Sequence, residues 1–125
     1  MVSTVSFDTV RKIGLALPHA EEGAAYGKPA LKVRGKMFAC MSSHKSAEPD
    51  SLAVRVDFDR RAELLAGDPE VYYITDHYKD YPAVLVRLRK VRPDALKDLL
   101  TMAHRFVTRE SARGANKTKR SRSIP

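Results

Sequence analysis

Three short runs in which apolar residues alternate with other, mostly charged, side chains constrain this chain more than anything else in it. Leu31 and Val33 alternate with Lys32 and Arg34; Leu52, Val54 and Val56 alternate with Ala53, Arg55 and Asp57; Val84, Val86 and Leu88 share one parity while Arg87 and Arg89 share the other. A period of two belongs to a strand with one buried and one solvated face. Strands joined by short connections pair antiparallel. Such a sheet can carry helices on one face and leave the other wet. The alternation therefore sends Leu31, Val33, Val54, Val56, Val84, Val86 and Leu88 toward the helices. It sends Lys32, Arg34, Arg55, Arg87 and Arg89 outward, with Asp57 as the one acid among them.

The helices are read from a period of 3.6. Phe7, Val10, Ile13, Gly14 and Leu17 form one stripe that Pro18 stops. Residues 19–29 read as a loop or a short edge strand around Ala24–Tyr26. Pro29–Arg34 and Lys36–Met41 read as a hairpin turning at Gly35-Lys36. His44–Asp50 is a polar loop. Phe58, Ala62 and Leu65 mark a short helix ending at Gly67-Asp68-Pro69. Val71–Thr75 is a strand, Asp76–Pro82 an aromatic and charged loop, and Ala83–Leu88 the last strand. The closing helix starts at Pro93, with Asp94 complementing its dipole and Leu96, Leu99, Leu100, Ala103, Phe106 and Val107 as its apolar stripe. The fold class is thus α+β: a single antiparallel β-sheet of about five strands, with N- and C-terminal helices packed on one face.

A chain of 125 residues is one domain's worth and buries a core without disulfides or metals. The net charge of +8 is unevenly spread. From Arg109 onward there are six basic residues and one acid, Glu110, so the last segment holds most of the charge. The expected division is a domain over 1–108 and a disordered basic tail over 109–125. Such a tail attracts polyanions, and it also serves simply to solubilise. The single cysteine, Cys40, excludes an internal disulfide or a cysteine-rich zinc site and reads as a small buried hydrophobe. No stretch is long and apolar enough to span a membrane, and Met1–Phe7 lacks a signal-peptide pattern. The expected location is the cytoplasm.

Chemistry-bearing motifs are scarce. His19, His44, His77 and His104 have no metal-site spacing to one another, to Cys40 or to a carboxylate. His77, flanked by Asp76, Tyr78, Lys79 and Tyr81, is the one candidate general base, but a catalytic site needs partners that converge in space. Gly23–Lys28 lacks the Ser or Thr of a phosphate loop, and Pro29 interrupts any helix there. No cofactor or metal is expected, and no enzymatic activity.

Several blocks resemble the MmcQ/YjbR family. They are Leu17-Pro18 with Glu21-Glu22, Gly27–Val33, Gly35–Ala39, Tyr72–Tyr78, the strand Val84–Leu88 and the closing Leu-rich helix. The resemblance runs from about Phe7 to Val107. It implies one antiparallel sheet with flanking helices, laid out like a small secretion chaperone, and DNA binding through a double-wing-like arrangement. Many members carry a tryptophan just before the late strand, where this chain has Tyr81-Pro82-Ala83.

The expectation that follows is a non-enzymatic DNA-binding protein of low sequence specificity, acting as a monomer or homodimer without a membrane partner. Lys32, Arg34, Lys36, Arg55, Arg87 and Arg89 would hold phosphates. The loop residues His77, Tyr78 and Lys79 would join them, Tyr78 and Tyr81 by stacking on bases. The alternative is a protein-interaction or chaperone-like module that takes a partner strand or a second copy on the sheet.

Overall fold

The first helix, α1 (Phe7–Leu15), begins where Ser6 accepts a hydrogen bond from the Asp8 N–H at 3.2 Å. It ends three residues before Pro18, whose ring bars the helical conformation at the residue before it. Val10 and Gly14 are buried, and Phe7, Ile13 and Leu17 pack around them, as the stripe predicts. A computed structural model describes residues 5–121 except Tyr26, Ser43 and His44, and at 25 and 110–121 it describes the backbone alone. His44 and the side chains of the basic tail beyond Arg109 thus lie outside the described residues.

The strands are β1 (Ala20–Ala25), β2 (Lys28–Val33), β3 (Lys36–Met41), β4 (Ser51–Arg55), β5 (Tyr72–Tyr73) and β6 (Ala83–Arg87). They form one six-stranded sheet in the order β1-β2-β3-β4-β6-β5, with every neighbouring pair antiparallel. Residues 20–25, read from sequence as a loop or short edge strand, are a full strand. The hairpin turn sits one residue earlier than expected: Arg34 and Gly35 take φ of 52° and 80°. A two-residue turn matched to the strand twist needs positive φ at both central positions. Lys36 therefore opens β3 and pairs with Val33.

Between β4 and β5 lies α2 (Phe58–Gly67), capped by Asp57, whose Oδ1 accepts from the Arg60 N–H at 2.7 Å. Asp57, expected on the outer sheet face, is thus a helix cap. The stripe read through Phe58 and Ala62 is displaced as well: both are exposed, and Leu64 and Leu65 face the core. Because β6 inserts between β4 and β5, those two strands run in the same direction. The last helix, α3 (Pro93–Ser121), buries Leu96, Leu99, Leu100, Ala103, Phe106 and Val107. Its backbone stays helical past Arg109, where the composition favours disorder; no proline interrupts it before Ser121. No helix among the described residues is long and apolar enough to cross a membrane.

All three helices lie on one face of the sheet, over Leu31, Val33, Ala39, Leu52, Val54, Val84 and Val86. Phe38 adds to this core through a bulge. The β2–β3 register steps from Leu31↔Ala39 to Lys32↔Met37, passing over Phe38 and leaving it turned inward and fully buried. The opposite face is not the wet, basic surface that alternation suggests. Its centre is a second small core of Ala30, Cys40, Ala53 and Leu85, covered by Met37, Ala47, Tyr73 and Tyr78. Ala47 and Tyr78 come from the connections 42–50 and 74–82, and Met37 and Tyr73 from β3 and β5. The positions between the inward valines include small or apolar residues, Ala53 and Leu85, that two long connections can bury.

Candidate nucleic-acid interface

The residues expected to share one basic face part company. Lys32 lies on the outer face of β2, opposite Glu21 on one side and Met37 on the other. Arg34 is in the hairpin turn, and Lys36 starts β3. Lys32, Arg34 and Lys36 therefore lie about the turn of the β2–β3 hairpin, with Lys36, which pairs with the inward Val33, on the opposite face from Lys32. Among the described residues, none of the three has a carboxylate within ion-pair distance (4.0 Å). Arg34 and Lys36 are exposed, and Lys32 is partly so.

Arg55 is drawn off that surface. Its guanidinium lies 5.6 Å from the centroid of the Phe106 ring on α3, and its Nε donates to the Pro82 carbonyl at 3.3 Å. A ring face and a backbone carbonyl together satisfy this arginine without an anion.

Arg87 is a structural clamp. Its guanidinium meets Glu48 with two parallel hydrogen bonds, Nε to Oε1 at 2.9 Å and Nη2 to Oε2 at 2.8 Å. Nη1 donates to the carbonyls of Pro69 and Glu70 at 3.2 and 2.9 Å, and the group lies 4.3 Å from the centroid of the Tyr73 ring. The forked bond to Arg87 holds the Glu48 carboxyl below its ordinary value, and it raises Arg87 in turn. Tyr73 continues the arrangement: its hydroxyl accepts from the Glu48 N–H at 2.8 Å and shares a hydrogen bond with Ser51, the one buried polar residue among those described. Around this clamp lies an open cavity of about 500 Å³, lined by Glu48, Asp50 and Glu70 together with Arg87, Arg89 and Lys90. The cations here face carboxylates: Arg89 stands 3.5 Å from Asp50, and Lys90 3.9 Å from Glu70. The cavity offers no unopposed charge to an anion, and the expected phosphate contacts from Arg87 and Arg89 start from ion pairs.

The loop carrying His77, Tyr78 and Lys79 is shaped by a residue that the sequence does not single out. Arg61, on α2, donates from Nη2 to the Lys79 carbonyl at 2.9 Å. Its Nη1 reaches the carbonyls of Tyr81 at 2.8 Å and of Tyr78 and Ala83 at 3.3 Å. No local pattern marks Arg61, because its partners lie 17 to 22 residues away. The same guanidinium lies 4.7 Å from the Phe58 ring centroid. Tyr78 turns inward: its hydroxyl pairs with Ser42 at 2.7 Å, and its ring helps to cover the second core. It is thus a packing residue, whereas Tyr81 is 56% exposed. His77 is exposed and stands edge-on to Tyr78 at 4.9 Å. His77 does not line the cavity beside Arg87, and no group of three or more His, Cys, Asp or Glu among the described residues could hold a metal ion. His104 packs edge-on to Phe38 and donates from Nε2 to the Pro18 carbonyl at 2.8 Å, tying α3 to the end of α1.

The fold has a counterpart in a crystal structure of a Deinococcus radiodurans protein with a DUF419 domain. The two superpose with a TM-score of 0.73 at 24% identity, over 93% of this chain and 88% of that one. Uncharacterised proteins of Mycobacterium tuberculosis and Mycobacterium bovis are 44% identical over 55 residues. That match covers 43% of this chain and 43% of each relative, so it spans less than half the length of either. The YjbR family model matches residues 15–106, well over half of the chain, through β1 to β6 and into α3. This protein belongs to the YjbR family.

Proposed function

We propose that this protein binds nucleic acid, DNA in the first instance, through the turn end of the β2–β3 hairpin, with the basic C-terminal segment adding non-specific affinity. The observation that carries the reading is the contrast in charge pairing. Lys32, Arg34 and Lys36 lie about the hairpin turn with no described carboxylate within 4.0 Å, although Glu21 stands across from Lys32, while Arg87, Arg89, Lys90 and Arg92 each have one that close. A phosphate backbone competes poorly for a cation already held by a carboxylate, and well for one that is only hydrated.

The test is a fluorescence anisotropy titration of a DNA duplex across a series of salt concentrations. Each phosphate neutralised contributes about −0.9 to the log–log slope. Replacing Lys32, Arg34 and Lys36 together with alanine should flatten the slope by about 2 to 3 and weaken binding to every sequence alike. An unchanged slope in the folded triple variant would move the interface away from the hairpin.

A further inference from the structure

The two edges of the sheet are built differently. At one edge, β5 is only two residues long, and Arg87 occupies the Pro69 and Glu70 carbonyls just before it. A short, covered edge resists pairing with another strand. At the other edge, β1 runs for six residues, Ala-Glu-Glu-Gly-Ala-Ala; it has no lysine or proline, and of its two carboxylates Glu22 is held by Arg11 on α1 at 2.8 Å.

The backbone of β1 can be assigned group by group. Residues 26–27 join Ala25 to Lys28, which face each other. A two-residue hairpin closes on a pair that exchanges both hydrogen bonds, and bonded and non-bonded pairs then alternate. Ala25, Gly23 and Glu21 therefore bond to β2, while Ala24, Glu22 and Ala20 point their N–H and C=O groups away from it. The Ala20 N–H fits this assignment, since it is taken by the Leu17 carbonyl at 3.2 Å. Among the described residues, no hydrogen bond from outside the β1–β2 ladder reaches the N–H or C=O of Glu22 or Ala24.

The geometry points to pairing of this edge with the same edge of a second copy, β1 against β1 about a twofold axis at Gly23. Side-chain placement distinguishes the registers. Glu22 is held by Arg11 on α1 at 2.8 Å, so a register centred on Glu22 would crowd two such ion pairs onto one position. The register centred on Gly23 sets Glu22 opposite Ala24 and Glu21 opposite Ala25, and it brings together two residues without Cβ atoms. Across β1 from Ala25 stands Lys28, on the same face, so Glu21 of one copy and Lys28 of the other flank a single alanine position. Lys28 has no ion pair of its own among the described residues. The twofold axis repeats this cross-copy pair, and the sheet continues through both molecules. The inference stands independently of nucleic-acid binding.

Register-specific crosslinking of the full chain tests it. Gly23 would form a non-hydrogen-bonded pair with its own copy, with Cα atoms about 4.5 Å apart, within reach of a disulfide. The three atoms nearest a Cβ at Gly23 all belong to the flexible Lys32 side chain, the closest being Cε at 3.4 Å, so cysteine fits there. Under mild oxidation, Gly23→Cys should give a covalent dimer, while Glu21→Cys and the wild-type chain, whose Cys40 is buried, should not. Sedimentation equilibrium of the wild-type chain should show a dimer that grows with concentration. Ala24→Pro, which removes an outward N–H, should shift it to monomer while circular dichroism shows the fold retained. A monomer at every concentration, equal crosslinking at positions 21 and 23, or a folded Ala24→Pro chain that still dimerises would each overturn the inference.

Discussion

Arg87 shows how a single basic residue changes meaning between sequence and structure. In the strand pattern it is one more outward cation. In the fold it joins Glu48 in the 42–50 connection, Pro69 and Glu70 before β5, and the Tyr73 ring. Arg87→Ala should lower the unfolding free energy by about 1–2 kcal/mol, from the lost charge-assisted bonds and the carbonyls left unpaired. Arg87→Lys should recover only part of this, because an ammonium cannot fork. Urea unfolding of the three chains measures both. The carboxyl of Glu48 is depressed in the folded state, so its contribution is present above the ordinary carboxylate range and is lost as pH falls through its folded value. The stability gap between wild type and Glu48→Gln should therefore be constant near neutral pH and close in acid. Cys40 behaves oppositely: burial pushes its thiol up, which keeps it protonated. A thiol reagent should modify the native chain slowly and the urea-unfolded chain at the full rate; equal rates would contradict the buried second core.

At the level of elements, close packing and long-range carbonyl bonds set what each segment tolerates. A Cβ added at Gly14 on α1 would overlap the Leu31 side chain on β2, which is fully buried and has nowhere to swing. Alanine would gain about 1 kcal/mol of helix propensity. Overpacking costs about 1–3 kcal/mol. Gly14→Ala should therefore destabilise the protein by about 1 kcal/mol net, seen as a lower Tm. The 78–83 segment depends on α2 through Arg61, which bonds four of its carbonyls. Arg61→Ala should speed amide exchange in 78–83 while leaving β2 and β3 protected. Uniform loss of protection would mean that Arg61 supports the whole fold instead.

For the molecule as a whole, the arrangement of charge matters more than its total. The surface around Arg87 is a mosaic of opposed charges, and the β2–β3 hairpin end is not. Two triple variants make the distinction measurable. Lys32, Arg34 and Lys36 to alanine, and Arg89, Lys90 and Arg92 to alanine, remove the same net charge. Long-range attraction to DNA falls equally in both, so any difference reports contact. The hairpin set should weaken duplex binding by at least tenfold more than the other at low salt. Equal losses would leave only the general basicity of the chain as the source of affinity.

Local periodicity was enough to determine much of this protein. The inward valines and leucines, the α3 stripe, the hairpin and the α+β class all follow from side chains spaced to face one way within a single element. The family blocks are equally local, and the family model matches over that region. What needed the tertiary structure was everything that joins distant segments. Strand parity gives each side chain a face, but it does not say what lies above that face. Thus Arg55 reaches Phe106, Arg87 meets Glu48, and Tyr78 roofs a second core that alternation alone would leave wet. The insertion of β6 between β4 and β5, and the inward turn of Phe38 at a bulge, are likewise set by pairing between strands. The basic face expected from alternation broke up for the same reason. Charge is written in the sequence, but which carboxylate neutralises it is decided only when the chain folds.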